Sequence, residues 1–570
     1  MAFKHGIYTV ESPTSMIAAA QVDSGIVFAV GTAPIHLAQS PADINKPVLA
    51  YKYSEAVKAL GYDTDFEEYT LCEVMQNQFS LYNIAPVVLV NVLDAKKHYN
   101  LVEVEVANAA TAEIKFDGAI DAGSFKLTSG EYEAPTKLTA GTEYSIEVTA
   151  FDDTDPDNVI QASTVVNILD EGAVVDDKVV VTYRQMATAL GGEAITTELT
   201  LTDTSFNLPT DTIVESVVIL TGGVDTLVDL VEGEDFEIEY DGASAVVNIL
   251  DDSKLVDDTI SISYHEIDAG KVTAADIIGG IDAATGKATG LELVDSVFPM
   301  YNLVVGTLIA PKYSEDATVA AALKAKAKKI SGMFPAMAVV DLSTENAKTY
   351  QSAVTLKNNS NLNDGHVIVC WPQVSAGGVR YHLSTQVAAL MAQIDAGNED
   401  LPYQSPSNQS LQMDSAVLAD GTEIYLQQEQ ANLLNQNGVV TAFAFSGWRA
   451  WGNHTGVADS GDVKDKFIPV RRMLNYLINT FTITYLSRLD MPLNRRQIDS
   501  ILNSANIWLS GLTSRGALLG ATISLDPDLT TADLLDGHIR FKIYYAAPPP
   551  AQAITVTFEY NPDYLSSLLG

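Results

Sequence analysis

Two cysteines in 570 residues, Cys72 and Cys370, are too few for a disulfide framework or a thiolate zinc site. Both sit in apolar surroundings, YTLCEVM and VIVCWPQ, and read as buried free thiols. Basic residues are scarce too: 33 Lys and Arg stand against 73 Asp and Glu, a formal net charge of -40. Such a chain repels nucleic-acid phosphates and anionic membranes, so no nucleic-acid partner is expected. No apolar run reaches the length that crosses a bilayer, so direct membrane insertion is not expected. The start, MAFKHGIYTVESPTS, lacks the charged head, apolar core and cleavage site of a secretion signal, and synthesis in the cytoplasm is expected.

The motifs of catalysis are also missing. There is no G-x-S-x-G elbow, no phosphate loop and no dinucleotide fingerprint in a strand-to-helix setting. The eight histidines form neither an H-x-x-x-H nor an H-E-x-x-H pair, so no metal and no cofactor is expected. Asp341 ends the strand-like AMAVVDLS and His366 precedes HVIVCW, positions where α/β enzymes can carry catalytic groups. A strand-end Asp more commonly caps a helix or turn, so catalysis by this pair is not expected.

What the chain does contain is 47% apolar and 19% charged residues, a folded composition with room for about three to five domains. Its charge is uneven. Residues 99 to 268 hold roughly 36 acidic and 6 basic side chains, leaving the remainder mildly acidic. The same segment repeats itself: ASTVVNILDEGAVVDDKVVVTY at 162 to 183 returns about 81 residues later as ASAVVNILDDSKLVDDTISISY at 243 to 264. Period-two runs (VVVTY, TISISY, FEIEY) between Gly- and Asp-rich turns predict two tandem β-sandwich-like units, 98–185 and 186–268. The DD and DDTDPD clusters lack calcium-loop spacing and read as solvated turns.

Around this insertion the pattern alternates between apolar strands and amphipathic helices. In 21–97, VFAVGTAP and APVVLVNVL bracket helical stretches; in 269–440, AMAVVDLS and HVIVCW alternate with DATVAAALKAKAKKISGM and STQVAALMAQIDAG. This predicts a mostly parallel sheet covered on both faces, interrupted by the acidic units. From 441 the chain changes to two long helical stretches and a β-rich end. Arg471, Arg472, Arg495 and Arg496 lie in those stretches near Asp465, Asp490 and Asp499, where they could form salt-bridge networks or face an acidic partner. After the spacer AAPPPAQ, the segment AITVTFEY sets Ile554, Val556, Phe558 and Tyr560 on one face and Thr555, Thr557 and Glu559 on the other. It could close its own sheet or be lent to another subunit's sheet edge. The stretch GWRAWGNHTG at 447 to 456 concentrates Gly447, Trp448, Arg449, Trp451, Gly452, Asn453 and His454, and reads as an anchored turn rather than a catalytic loop.

That stretch, with KDKFIPVRRMLNYLINTFTITYLSRLD, MPLNRRQIDSILNSANIWLSGLTSRGALLGA and the C-terminal strand region, resembles the tail sheath proteins of contractile-tailed bacteriophages and related phage-tail-like particles. GIYTVES, VFAVGTAP and SPSNQ at 405 to 409 fit the same family, so the resemblance covers 1 to 95 and about 270 to 570. It implies an α/β multidomain, non-enzymatic subunit with a subtilisin-like α/β body lacking a protease site, inserted β-sandwich-like units and an α+β C-terminal domain with extended terminal arms. The implied division is 1–20 N-terminal arm, 21–97 and 269–440 body, 441–550 C-terminal sheath domain and 551–570 C-terminal arm. The arms would donate Ile7, Tyr8 and Val10, and Ile554, Val556, Phe558 and Tyr560, to neighbours. The four arginines would face a tube or another subunit, and GWRAWGN would hold the junction between body and C-terminal domain. The implied assembly is stacked homo-hexameric rings around an inner tail tube protein, with baseplate and tail terminator partners, in a virion tail assembled in the host bacterial cytoplasm. The acidic units would then decorate its outer wall.

Overall fold

The computed structural model describes residues 19–20, 22–94, 96–98, 268–458 and 462–565 in full, together with turn residues 233, 234 and 250 and the backbone of the strands between 99 and 267 and of 566–569. Ile7, Tyr8 and Val10, and the side chains of the acidic repeat, lie outside the described residues. The chain divides into two compact units: one holding residues 42–92 and 274–570 together with the leading segment, the other holding 93–273 with residues 34–41.

The first unit is built on one eight-stranded sheet. Its strands are β1 (Val27–Gly31), β2 (Val48–Ala50), β3 (Val87–Asn91), β4 (Thr307–Ile309), β5 (Met337–Asp341), β6 (Val367–Cys370), β7 (Val439–Ala444) and β8 (Trp448–Trp451), in the order β2-β3-β1-β4-β5-β6-β7-β8. The inner pairs are all parallel, and each end is closed by one antiparallel strand. VFAVG, VVLVN, MAVVD and VIVC are buried along their whole length, as a parallel sheet covered on both faces demands. β1 lies between β3 and β4, so residues on both sides of the acidic segment share one core. The boundary drawn at 440/441 falls inside β7, and the WRAW motif is the final strand of this sheet rather than a loop.

Helix α1 (Leu383–Gly397), LSTQVAALMAQIDAG, is apolar nearly all round and packs across β1, β4, β5 and β6. Beyond α2 (Gln428–Gln436) and the motif come α3 (Ile468–Leu486), with Pro469 in its first turn where no intrahelical N–H is lost, and α4 (Arg495–Ser514), whose N-cap Asn494 accepts from Gln497 N. A hairpin of β9 (Gly520–Leu525) and β10 (Phe541–Ala546) follows as a separate two-stranded sheet. No helix among the described residues is long and apolar enough to cross a membrane.

In the second unit the sequence repeat becomes a repeat of strand pairing. Ser163–Ile168 runs between Ile114–Asp117 and Tyr144–Thr149; its counterpart Ser244–Ile249 runs between Ser205–Leu208 and Phe236–Asp241. Lys178–Thr182 lies between Val104–Ala107 and Lys126–Ser129, and Thr259–Ile267 lies between Thr196–Thr200 and Thr212–Thr221. The unit's two ends pair with each other, Tyr99 opposite Ile267 and Asn100 opposite Glu266.

Candidate functional site

The carboxyl ends of the parallel strands are where α/β proteins commonly place chemistry, and Asp341, His382 and Ser384 do meet there. Their wiring is that of a helix cap. Asp341 accepts from Ser384 N at 2.9 Å and from Ser384 Oγ. Glu73 accepts from His382 N at 2.6 Å, from His382 Nδ1 at 2.7 Å and from the Thr385 hydroxyl. Two carboxylates thus satisfy the first turn of the buried helix α1, where its dipole also favours negative charge. Burial alone would lower the His382 pKa, but the charge and hydrogen bond of Glu73, with Asp341 and Glu315, outweigh it and raise it to about 9. Ser384 Oγ donates to Asp341 rather than to His382, so the three are not wired as nucleophile and base. His366 is held elsewhere: Nδ1 meets Ala336 O at 2.9 Å and Nε2 meets Arg471.

The motif is an edge strand whose polar groups are satisfied. β8 pairs with β7, Thr441 opposite Trp451 and Ala444 opposite Trp448. Its outer edge is covered by the SPSNQ segment: Asn408 N donates to Ala450 O at 2.6 Å, Ala450 N to Gln409 O at 2.9 Å and Leu411 N to Trp448 O at 3.0 Å. Trp448 Nε1 donates to Asp414 O at 2.7 Å, Trp451 Nε1 to Asn432 Oδ1 at 3.0 Å and Arg449 Nη1 to Asn408 O at 2.8 Å. Gly452, at φ +143°, approaches β7 so closely that an added Cβ would stand 2.8 Å from Val440 Cα. Asn453 N and His454 N both donate to Asn435 Oδ1 on α2, at 2.9 and 3.2 Å. Asn453 O then accepts from Ile468 N, the first residue of α3, at 2.9 Å. The motif therefore joins the sheet, α2 and the start of α3.

Beside its end lies a groove of about 530 Å³, lined by Asn408, Asn432, Trp451 and His454 on one side and by Pro550 and Gln552 on the other. Gln552 Nε2 is 3.3 Å from His454 Nε2. Beyond it, residues 553–560 pair with no strand among the described residues, and Ile554, Val556, Phe558 and Tyr560 are 83%, 64%, 92% and 76% exposed.

The arginines divide. Arg471 and Arg472 are buried inside the chain and do not face outward, correcting their reading as tube-facing or inter-subunit groups. Arg471 Nη1 donates to Asp465 at 2.7 Å, and Arg472 forks onto Asp395 of α1. Guanidinium groups this deep require a buried carboxylate. Arg495 and Arg496 are exposed, Arg495 beside Asp499 at 3.0 Å. The residues that sequence reading passed over, Glu73, Asp395 and Asn435, share one signal: a lone polar side chain on an otherwise apolar stripe must find a partner.

Acids and bases here cap and clamp helices, and beyond them lies an exposed apolar segment, unpaired among the described residues. The profile of the phage tail sheath protein central domain matches residues 270–455, ending within the motif. The tail sheath protein of Burkholderia phage BcepMu is 31% identical over 328 residues, 54% of this chain and 66% of that protein. That of Escherichia phage P2 is 23% identical over 306 residues, 52% and 73%. Among solved structures, the sheath tail protein of Desulfitobacterium hafniense aligns with 10% identity and a TM-score of 0.42 over 91% of this chain and 93% of that one. The chain belongs to the phage tail sheath protein family, as a subunit of the contractile sheath of a phage or related injection system.

Proposed function

We propose that the chain polymerises as stacked hexameric rings around an inner tail tube, bound at its ends by baseplate and terminator proteins, and that the sheath contracts to drive the tube through the target envelope. The observation that carries this reading is the apolar face of residues 554–560, exposed and without a strand partner among the described residues. A sheet of only two strands is marginal alone, and the hairpin β9–β10 offers the complementary half. On β9, Asn506 already bonds both Ile523 N and Ile523 O, at 3.0 and 3.2 Å, which leaves the outer edge of β10 as the acceptor. Strands lent between subunits keep neighbours joined while their bodies slide, so a metastable extended sheath can shorten without dissociating. The body is of subtilisin-like α/β type, bounded as 21–97 and 269–440 with the motif strand added, and the terminal arms are 1–20 and 551–570. Arg495 and Arg496, on the exposed start of α4, are the charged groups left to meet a tube. Negative-stain microscopy of the purified chain tests the reading: hollow cylinders or cogwheel rings are expected, and monodisperse globules at high concentration would overturn it.

A further inference from the structure

We propose that a single hard cation binds in the cavity between the segment preceding β1 and helix α3, held by Asp23, Asn475 and Asn479. The segment is closely seated there. Ser24 Oγ donates to Asp395 Oδ2 at 2.7 Å and to Asp400 O at 2.8 Å, and Ala20 N donates to Thr484 Oγ1 on α3 at 2.9 Å. Gly306 leaves no room for a side chain, since a Cβ would stand 2.1 Å from Ser24 O.

Between these elements lies a cavity of about 20 Å³ lined by Asp23, Arg472, Asn475, Tyr476 and Asn479 among others. Asn475 and Asn479, one turn apart on α3, are only 5% and 4% exposed. Their amide nitrogens donate to Ala336 O at 3.2 Å and Pro335 O at 3.0 Å. Both Oδ1 atoms remain buried with no hydrogen-bond partner in the protein, a costly condition for a polar atom unless something fills the space. Asp23 is the third acceptor; its Oδ1 already takes Gly25 N at 2.7 Å. Asp23 lines the cavity beside them, with the carboxylates of Asp395 and Asp400 close by. The one positive charge lining the cavity, Arg472, is committed to Asp395.

The space holds roughly one water-sized occupant. A water has two protons for three acceptor groups, whereas a cation can be bound by all three. With every donor an oxygen, the chemistry selects calcium or sodium over zinc.

The test compares thermal midpoints of the full chain in EDTA and in calcium chloride, with sodium, magnesium and potassium chlorides alongside. A rise of about 2–4 °C is expected at saturation for the wild type, absent in Asp23→Asn. Asn479→Asp, which adds a carboxylate, should melt lower without calcium and recover with it. Terbium luminescence sensitised by Tyr476, and reduced in Tyr476→Phe, gives a readout independent of stability. The acidic repeats could bind calcium on their own, so a rise equal in wild type and Asp23→Asn overturns the proposal. So does a wild-type midpoint indifferent to all four salts, or terbium luminescence unchanged by Tyr476→Phe.

Discussion

Arg472 grips Asp395 with both terminal nitrogens, Nη1 meeting Oδ1 at 3.0 Å, and neither side chain is more than 3% exposed. The pair bolts α3 to α1, and α1 is the helix around which the parallel sheet is packed. Arg472→Leu leaves a buried carboxylate unpaired and should lower unfolding stability by about 3–5 kcal/mol. Arg472→Lys cannot reproduce the fork and should fall between it and the wild type. Replacing both partners by leucine should recover much of the loss, because the desolvation cost of the two charges disappears with them. Denaturant midpoints of the four proteins check this; a double variant worse than Arg472→Leu contradicts it.

Because the His382 pKa is raised from 6.5 to about 9 in the folded chain, the native state holds a proton that the unfolded chain has released across that interval. Its stabilising contribution is complete below pH 6.5 and is lost as pH rises through 9, on the order of 3 kcal/mol. Denaturant midpoints of wild type and His382→Gln should therefore differ most near pH 6.5 and converge above pH 9. A constant gap across that range would exclude the ion pair with Glu73 as its source.

The two glycines that flank β8 should respond unequally to alanine. At Gly452 a Cβ would press on the β7 backbone, 2.8 Å from Val440 Cα, at a φ of +143°; at Gly447, φ is +96° but nothing lies within 4 Å. Gly447→Ala should cost about 1 kcal/mol, from conformation alone, and Gly452→Ala at least twice that. Thermal or denaturant unfolding of the single variants measures the ratio.

Removing residues 553–570 deletes the exposed apolar segment while leaving the Gln552 contact to His454 in place. The truncated chain should fold with an unchanged unfolding midpoint and sediment as a monomer. Cylinders of normal length from this protein would show that the segment is not the link between subunits.

The paired ends of the acidic segment, with Asp268 N donating to His98 O at 3.1 Å, suit it to clean excision. Deleting 99–267 and joining the ends by a short Gly-Ser linker should leave a folded remainder, since both flanks then meet at one point. Circular dichroism and the unfolding midpoint of the deletion protein check this. An aggregated product would show that the remainder depends on the segment for its fold.

Much of this architecture is legible in the chain. Short, β-branched apolar runs such as VVLVN and VIVC point to strands covered on both faces, and Pro469 and Asn494 mark helix starts by their backbone chemistry. Asp341 also behaves as its strand-end position suggests, as a cap. Failures arose where identity did not fix direction. Four residues, WRAW, between glycines are too few to show a period, so a sheet strand read as a turn. The helix pattern of α3 cannot say that the faces bearing Arg471 and Arg472 point inward, because the deciding partner of Arg472, Asp395, lies 77 positions away. The Asn475 and Asn479 cavity is likewise a product of packing between distant segments.

The body sheet ends at one side in the three-residue β2 and at the other in β8, whose free edge is buttoned over by residues 408–411. One border is thus too short and the other already occupied to template a foreign strand. A subunit meant to touch many copies of itself is in this way denied promiscuity. If subunits join as proposed, through the β10 edge and the tail, growth is confined to a single lattice rather than a tangle of stacked sheets.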